Sequence, residues 1–438
     1  MKTGPFILAT QINHACEIWE EVSKSSHPAD RWLAHYFHHY RKKFGSRDRR
    51  FLFDTVYAVF RHRSYLETWA EALGIEPANT GALILLGAAA EKISDPAALR
   101  GFWQEAFRKN LPERIFKALE ERKLPHEIPG FGKGQALSPE QEMAVRFSFP
   151  LWLVKRWCAR FGPEEAAGLL DASQSRPPCT IRVNTLKTSR RELVERLQKQ
   201  GFGVLPAPHA KTGIIIKERA NLLDSPEFRE GLFEIQDEGS QIVCHLIRAL
   251  PGETVWDVCA GGGGKSLHLA DMMENKGRII ATDLRAKKLE ELRRRARRAG
   301  VTNIFPADLK RMDETRDMRR GVDRILVDAP CSGTGTLRRN PDAKWKITEE
   351  GLLRHASDQK KIAESVLGRL KPGGRFFYIT CSLEPEENEE VMAAILKGHP
   401  ELKIIPLGTA EDGFLRLFPH RDGTDGFFLA VAEKHKGG

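Results

Sequence analysis

The C-terminal half of the chain repeats one pattern, in which short β-branched or aromatic segments are followed by helical stretches. The segments are TVWDVCA (254–260), RIIATDL (278–284), NIFPADL (303–309), DRILVDAP (323–330), RFFYITCS (375–382), KIIPL (403–407) and FFLAVAE (427–433). Alternation of strand and helix predicts a doubly wound, mostly parallel α/β sheet. In such a sheet, ligands bind at the carboxyl ends of the strands. Functional residues are therefore expected where these segments end.

A glycine-rich turn follows the first segment, which ends in Cys259 and Ala260 and continues into Gly261, Gly262, Gly263, Gly264 and Lys265. Glycine lets the backbone approach a ligand that a Cβ would obstruct. Asp283 ends the second segment, where a carboxylate can hold ribose hydroxyls, and Asp308 ends the third, where it can meet an adenine. The pattern indicates a nucleoside-type cofactor. The spacing disfavours a P-loop, and it leaves S-adenosylmethionine and a nicotinamide dinucleotide open.

Two cysteines lie where the fourth and fifth segments end. Cys331 comes directly after the fourth segment, which contains Asp328 and ends in Pro330, and Cys381 follows Thr380 near the end of the fifth. The ends of neighbouring parallel strands face one crevice, so both thiols are predicted to lie there beside Asp328. A reactive cysteine acts as the thiolate, which a basic partner such as Lys265 or a helix N-terminus after Pro385 can favour. The other thiols outside the glycine turn are interpreted as core or passive residues: Cys16, Cys158, Cys179 and Cys244.

A thiol, a carboxylate and an alkyl donor in one place are what methylation of carbon 5 of cytosine requires. That carbon is a weak nucleophile, and addition of a thiolate to carbon 6 converts the ring to an enamine. A carboxylate bound to the ring nitrogen and amino group stabilises the charge that develops. After methyl transfer, a base removes the carbon-5 proton and the thiol leaves. Asp328, Cys331 and Cys381 supply the residue types that this chemistry needs.

Three segments carry a family resemblance: DVCAGGGGK (257–265), DAPCSGTGTLRRNPDAKW (328–345) and YITCSLEPEENEEV (378–391). They resemble the motifs of the RsmB/NOP-type RNA (cytosine-5) methyltransferases, and TIRVNT (180–185), LFEIQDEGS (232–240) and PHRDGTDGFF (419–428) extend the resemblance over residues 138–434. The resemblance implies S-adenosylmethionine as cofactor, Cys381 as nucleophile and Cys331 in product release. It also implies that Lys265, Asp283, Asp308 and Asp328 lie at the cofactor or the base. One departure is that Gly261 and Gly262 replace the family's common Ala-Pro, which predicts a more flexible turn.

The sequence predicts a multidomain chain. Residues 1–128 have apolar residues at helical spacing and resemble the family's NusB-like RNA-binding domain through GSRDRR (45–50) and VYAVFR (56–61). Residues 129–137 are interpreted as a linker. Residues 138–240 are predicted to form a small α+β RNA-binding domain with helix caps at Ser138 and Ser189 and a half-buried strand over 181–185. Residues 241–435 are predicted to form a Rossmann-like class I methyltransferase domain.

Five residues are predicted to contact RNA. The resemblance makes the strand that carries Arg182 and Asn184 an RNA-contacting element. Arg338, Arg339 and Lys344 follow the Pro-Cys motif and are predicted to overhang the cleft and neutralise phosphates. The basic helix after Asp283 is interpreted mainly as a solvated outer face. The target cytosine is expected to be splayed out of a loop or a locally opened helix.

Composition and local patterns argue against several classes of protein. The net charge of +10 is mild for 438 residues, and the seven cysteines form no close pair typical of zinc or redox motifs. No apolar run approaches the ~20 residues of a membrane span, and the N-terminus lacks a secretory pattern. We expect a cytoplasmic, monomeric protein that acts on RNA and binds neither a metal nor a membrane.

Alternative functions remain open from the sequence. The NusB-like domain favours small-subunit rRNA as substrate, with tRNA and large-subunit rRNA as alternatives. A DNA cytosine-5 methyltransferase uses the same chemistry, but its Pro-Cys motif is usually followed by glutamine, whereas Ser332 follows Cys331 here. A non-catalytic rRNA-binding assembly factor belongs to a different class, and the intact pair of cysteine motifs argues against it.

Overall fold

The computed structural model describes residues 5–128, 137–217, 222–309, 316–408 and 411–435. Contacts divide the chain into two compact units, which are Met1–Ser175 with Leu337–Lys346, and Arg176–Thr336 with Ile347–Gly438. Residues 129–136 of the predicted linker lie outside the described part. Residues 138–175, predicted to start the α+β domain, are counted with the helical unit. The backbone N–H of Ser64 donates to Ser148 Oγ at 2.8 Å, which ties this stretch to the preceding helices.

The described part of the first unit is helical. It contains α1 (Pro5–Val22), α2 (Ala29–His39), α3 (Ser46–Ala72), α4 (Thr80–Ala90), α5 (Pro96–Phe107), α6 (Glu113–Glu120), α7 (Pro139–Arg146), α8 (Leu151–Phe161) and α9 (Pro163–Gln174). Helix α4 is apolar on all sides, and the helix is buried from Ala82 to Ala89 as such a sequence requires. The predicted cap at Ser138 is present, since its Oγ accepts from the Gln141 backbone N–H at 3.3 Å.

Residues Leu337–Lys346 pack inside the helical unit rather than projecting from it. The Asp342 carboxylate accepts from the Ala29 backbone N–H at 2.9 Å, at the start of α2. Trp345 Nε1 donates to the Phe60 carbonyl at 2.7 Å, within α3. The segment is thus held by hydrogen bonds to two helices of this unit.

The second unit begins with a four-stranded antiparallel sheet of order β2-β3-β1-β4. Its elements are β1 (Cys179–Val183), α10 (Arg190–Lys199), β2 (Val204–Pro206), β3 (Gly213–Ile216), α11 (Pro226–Arg229) and β4 (Phe233–Ile235), followed by α12 (Glu238–Ile247). The predicted cap at Ser189 is present. Strand β1 was predicted to be half-buried, but its residues from Thr180 to Val183 are all buried because side chains cover both faces.

The larger sheet of this unit contains eight described strands in the order β10-β12-β9-β8-β5-β6-β7, with β11 paired to β12. Its elements are β5 (Thr254–Asp257), α13 (Gly264–Met272), β6 (Arg278–Ala281), α14 (Ala286–Ala299), β7 (Ile304–Pro306), α15 (Arg316–Arg320), β8 (Val322–Asp328), α16 (Glu349–Leu367), β9 (Leu370–Thr380), α17 (Glu389–Gly398), β10 (Leu402–Ile404), β11 (Leu415–Leu417), α18 (Pro419–Asp422) and β12 (Phe427–Lys434).

Strands β5 to β9 of this sheet are parallel, and β12 runs antiparallel to β9. The predicted doubly wound, mostly parallel sheet is confirmed. Strands β6 and β7 lie on one side of β5, and β8 and β9 lie on the other side. The strand order therefore reverses between β5 and β8, and the carboxyl ends of these two strands flank the crevice where such folds bind ligands. Within the described part, no helix has both the length and the apolar character needed to span a bilayer.

Candidate active site

The two motif cysteines meet at the carboxyl ends of β8 and β9. These strands are paired in parallel, with Asp328 opposite Ile379, so the residues that follow each strand leave the same edge of the sheet. The Sγ atoms of Cys331 and Cys381 are 3.4 Å apart, and both residues are half-buried. The structure therefore brings together the two thiols that the sequence placed at separate strand ends.

The loop that carries Cys331 is fixed against Cys381 by a close backbone approach. The Gly335 N–H donates to the Cys381 carbonyl at 2.9 Å, and the Gly426 N–H donates to the Gly335 carbonyl at 2.8 Å. A Cβ on Gly335 would lie 2.5 Å from the Gly426 oxygen and 2.8 Å from the Cys381 oxygen. Glycine at this position is therefore required by space, and any side chain would separate the two cysteine loops.

The surroundings of Cys331 favour its protonated form. The hydrogen bond to Cys381, burial, and the charges of Cys381 and Glu387 raise the pKa of the Cys331 thiol well above its ordinary value. Two ionisable groups this close do not both ionise readily, because the second negative charge is opposed by the first. Cys331 is the member that keeps its proton.

A carboxylate and an ammonium group stand beside the thiols. Asp328 ends β8, and its Oδ2 accepts from Lys265 Nζ at 2.6 Å. The Lys265 side chain is 12% exposed, and Asp328 retains 32% exposure. Burial lowers the Lys265 pKa, but the Asp328 charge and hydrogen bond and the Cys381 charge outweigh it, so the net shift is upward. Lys265 therefore remains a cation near Cys381, and Asp328 remains accessible to a ligand.

The glycine turn between β5 and α13 divides into two kinds of position. A Cβ on Gly263 (φ +85°) would lie 2.6 Å from Leu292 Cγ, and one on Gly262 would lie 2.9 Å from Glu291 Oε1. Gly263 is therefore needed for the packing of Leu292 on α14, whereas the end of the flexible Glu291 side chain can move away from a Cβ at position 262. A Cβ added to Gly261 (φ +54°) or to Gly264 would meet no atom within 4 Å. The open side of the turn is the side on which backbone can approach a ligand.

The surroundings of this turn fit a nucleoside cofactor. The Asp283 carboxylate follows β6, is 7% exposed, and accepts from the Gly261 N–H at 2.9 Å. Ala260 is fixed by donating to the Thr282 carbonyl at 2.8 Å. Burial and nearby carboxylates raise the pKa of Cys259 to about 12, so this half-buried thiol stays neutral. Asp308 is exposed after β7. An acid beside an open glycine turn matches the ribose-binding end of such sites.

Sequence reasoning missed a salt-bridge network that supports this turn. Arg295 of α14 donates to the Gly262 carbonyl at 2.7 Å and to Glu234 Oε2 at 3.0 Å. Glu234, on β4, is 3% exposed and also pairs with Arg298. The basic helix was interpreted mainly as a solvated face, and these two arginines are exceptions. The length of the basic run hid which of its members point inward.

A second missed group lies behind the cysteines. Glu387 ends the 3₁₀ turn Pro385–Glu387 and is 0% exposed. Its carboxylate accepts hydrogen bonds from Ser332 and Ser382, the residues that follow the two cysteines. The acidic run EPEENEE (384–390) gave no sign that two of its glutamates, Glu384 and Glu387, are buried.

The structure corrects the prediction that Arg182 and Asn184 contact RNA. Arg182 is 2% exposed and donates to Gln236 Oε1 at 2.8 Å and to Asp271 Oδ2 at 3.0 Å. Asn184 is 3% exposed, and its amide donates to the carbonyls of Gly231 and Ala299, each at 2.8 Å. Both side chains hold the small sheet to helices of the same unit. In this arrangement neither can reach a phosphate.

Two of the three basic residues predicted to overhang the cleft, Arg338 and Lys344, differ from the prediction, and the RNA contact of Arg339 stays a prediction. Arg338 is buried and Arg339 is half-buried, both in the segment that belongs to the helical unit. Lys344 is 1% exposed, and its Nζ donates to the Arg61 carbonyl at 2.7 Å and lies over the Phe149 ring at 4.4 Å. The predicted overhang over the cleft is therefore corrected to an interior position for Lys344 and Arg338.

Comparisons with known proteins match two regions of the chain. The family description "16S rRNA methyltransferase RsmB/F" matches residues 245–433, and an RsmF/B-like ferredoxin-like domain matches residues 149–222. A probable ribosomal RNA small subunit methyltransferase B of Bacillus subtilis is 34% identical over 310 residues, which are 68% of each chain. A Synechocystis protein with the same description is 29% identical over 422 residues, which are 88% of this chain and 91% of that one.

A crystal structure of a methyltransferase homologue from Pyrococcus horikoshii has a TM-score of 0.60 and 33% sequence identity to the present chain. The match covers 68% of this chain and all of that one. The family match spans the strands and loops that carry the glycine turn, Asp328 and both cysteines. The chain therefore belongs to the RsmB/F family of 16S rRNA methyltransferases.

Proposed function

We propose that the protein transfers a methyl group from S-adenosylmethionine to carbon 5 of a cytosine in small-subunit rRNA, through a covalent bond between Cys381 and carbon 6. The observation that carries this proposal is the 3.4 Å between the Sγ atoms of Cys331 and Cys381, next to the Asp328–Lys265 pair. The relatives from Bacillus subtilis and Synechocystis are described as small-subunit rRNA enzymes, which supports that RNA as substrate.

The raised pKa of Cys331 supports Cys381 as the nucleophile. Because Cys331 retains its proton, it can donate a hydrogen bond to the Cys381 sulfur while that sulfur carries the negative charge. Lys265 adds a positive charge nearby. Attack forms the Sγ–C6 bond and moves the ring electrons toward carbon 5. S-adenosylmethionine, when bound, supplies an electrophilic methyl group on sulfur.

Asp328 is suited to hold the target base. With 32% of its side chain exposed, it can accept from the cytosine amino group and from a protonated ring nitrogen. Its hydrogen bond from Lys265 fixes the carboxylate on one side and leaves acceptor positions on the other. Recognition of the Watson–Crick edge in this way requires an unpaired cytosine.

Release is assigned to Cys331. Two of the causes that raise its pKa are the hydrogen bond and the charge of Cys381, and both disappear once Cys381 is a thioether. Cys331 is half-buried, so it can then lose its proton to solvent and accept the carbon-5 proton. The C5=C6 double bond re-forms, the Sγ–C6 bond breaks, and Cys381 leaves as a thiolate beside the reprotonated Cys331.

The direct test uses the purified chain, methyl-tritiated S-adenosylmethionine and rRNA from cells that lack this protein. We expect the label to appear in 5-methylcytidine after digestion of the small-subunit rRNA. Bisulfite sequencing should find one protected cytosine there, and its protection should be absent in those cells. Label on another atom of cytosine contradicts the carbon-5 assignment, and label confined to tRNA or large-subunit rRNA contradicts the substrate.

A further inference from the structure

We propose that Glu387 is a positioning residue that holds the two cysteine loops at one spacing and places its negative charge against Cys331. The proposal rests on the proposed function, which needs one nucleophilic and one protonated sulfur. Glu387 itself touches neither sulfur in any hydrogen bond of the described structure. It acts through the residues that follow each cysteine.

The carboxylate bridges the two loops directly. Its Oε1 accepts from the Ser332 backbone N–H at 2.8 Å, and its Oε2 accepts from both the Ser332 and Ser382 hydroxyls. Ser332 follows Cys331, and Ser382 follows Cys381. The two hydroxyls are themselves 3.2 Å apart. One buried carboxylate therefore joins the residues adjacent to both sulfurs.

Two further elements hold Glu387 in place. Gln359 of α16 donates to Glu387 Oε1 at 3.0 Å and to the Pro330 carbonyl at 2.9 Å. The Tyr378 hydroxyl of β9 donates to the Glu387 carbonyl at 2.6 Å. Each carboxylate oxygen thus accepts two hydrogen bonds, which is the full capacity of an ionised carboxylate. A charge buried at 0% exposure is tolerated because all four acceptor positions are satisfied.

The charge of this carboxylate acts on Cys331. The Glu387 charge is among the causes that raise the pKa of Cys331. Other titratable groups near the pair are Asp328 of β8 and its partner Lys265 of α13, whose pKa is raised by the charges of Asp328, Cys244 and Cys381. Tyr378 of β9 also faces the pair, and burial and the Cys331 and Glu387 charges raise its pKa. Lys265 thus interacts with Cys381, whereas the Glu387 charge acts on Cys331 and favours the protonated form of Cys331.

The first test measures the charge effect without RNA or cofactor. In a Cys381→Ala background, which removes coupling between the thiols, the rate of Cys331 alkylation by iodoacetamide is followed against pH by mass spectrometry. Glu387→Gln should shift the midpoint to lower pH by about one unit, because a neighbouring negative charge is lost. The matched control is Glu390→Gln, which removes the same charge from an exposed residue in the first turn of α17.

The second test measures the spacing through turnover. Glu387→Gln keeps one acceptor oxygen and can accept or donate to the same hydroxyls, whereas Glu387→Ala removes the bridge. We expect Glu387→Ala to lower kcat about 100-fold with the KM for RNA unchanged, since a small misplacement of reacting groups has this effect. Glu387→Gln should lose less activity than Glu387→Ala.

Each outcome decides the proposal. An alkylation midpoint for folded Glu387→Gln equal to that of Glu390→Gln overturns it, as does a rise in KM with kcat intact. If Glu387→Ala does not fold by circular dichroism, the proposal stands or falls on the Glu387→Gln titration alone. If the wild-type chain forms no 5-methylcytidine, the proposed function fails, and the alkylation comparison still reports on Glu387.

Discussion

Two lysines that accompany sequence motifs, Lys265 at the glycine turn and Lys344 after the Pro-Cys motif, lie in opposite surroundings. Lys265 Nζ is 2.6 Å from the Asp328 carboxylate, and its net pKa shift is upward. Among its described contacts, Lys344 has a backbone carbonyl and two aromatic rings but no carboxylate. Burial and the charges of Arg61 and Arg122 lower its pKa well below the ordinary value.

The difference separates the proposed reactive region from a structural one. At the ends of β8 and β9, charged groups are paired and partly exposed, so a substrate can reach them. In the segment Leu337–Lys346, polar groups form hydrogen bonds inside the helical unit. Asp342 accepts from the Ala29 backbone N–H, and the Trp345 side chain donates to the Phe60 carbonyl. A charged residue that follows a catalytic motif in sequence is therefore not necessarily part of the catalytic surface.

The sharpest test of the reactive region is Cys381→Ala. Loss of the nucleophile should reduce methyl transfer by about 10⁴-fold or more, while binding of S-adenosylmethionine, measured by calorimetry, stays within about twofold. Cys158→Ala is the matched control. This half-buried thiol belongs to the helical unit, where it contacts Met143 Sδ of the same unit at 3.9 Å. Retained activity in Cys381→Ala together with loss in Cys331→Ala would reverse the two cysteine roles.

Removal of the second thiol should separate attack from release. Cys331→Ala is expected to lower turnover about 10³-fold, because the group that accepts the carbon-5 proton is missing. The covalent RNA adduct should accumulate and appear as a slowly migrating band on a denaturing gel. The band should be absent from the double variant that also carries Cys381→Ala. Normal turnover without the band would show that Cys331 has no part in release.

The carboxylate beside the thiols should have a smaller effect. Asp328→Asn removes the charge that stabilises the activated cytosine and should lower kcat about 100-fold. It also removes the main influence that raises the pKa of Lys265. Asp358→Asn, at an exposed position of α16, is the control for loss of a carboxylate. Equal rates for the two variants would exclude contact between Asp328 and the reacting base.

The fold and the location of the site could be predicted because strand-helix periodicity fixes which ends of the strands share an edge. That rule alone predicted that Cys331 and Cys381 would face one crevice. The three-residue strand β11 (Leu415–Leu417) was missed because its sequence, LRL, contains none of the β-branched or aromatic residues that marked the other segments. The glycine turn was recognised, but its sequence did not reveal that Gly263 is required by the packing of Leu292 on α14.

Burial of polar side chains could not be predicted from local sequence. Arg182 alternates with apolar residues, as an outward-facing residue of a half-buried strand does, and only the packing of Asp271 and Gln236 against it shows that its face is covered. Glu387 is one of several acids in a short run. Its position between the two cysteine loops depends on Ser332 and Ser382, which belong to different loops of the chain. Both cases require tertiary contacts that periodicity does not encode.

The structural role of Lys344 gives the smallest predicted effect and the last test of the comparison. Its lowered pKa means that the unfolded chain binds one more proton than the folded chain between that lowered value and about 10.4. The free energy of unfolding of the wild type should therefore rise with pH across this window. Lys344→Met removes this dependence and should raise stability by about 1 kcal/mol at pH 7. Its advantage in Tm over wild type should shrink toward pH 10, whereas Lys360→Met, at a half-exposed site on α16, should show no such trend. The salt dependence of RNA binding should be unchanged in Lys344→Met, and a slope reduced by about 0.9 would instead return Lys344 to the phosphate-binding surface.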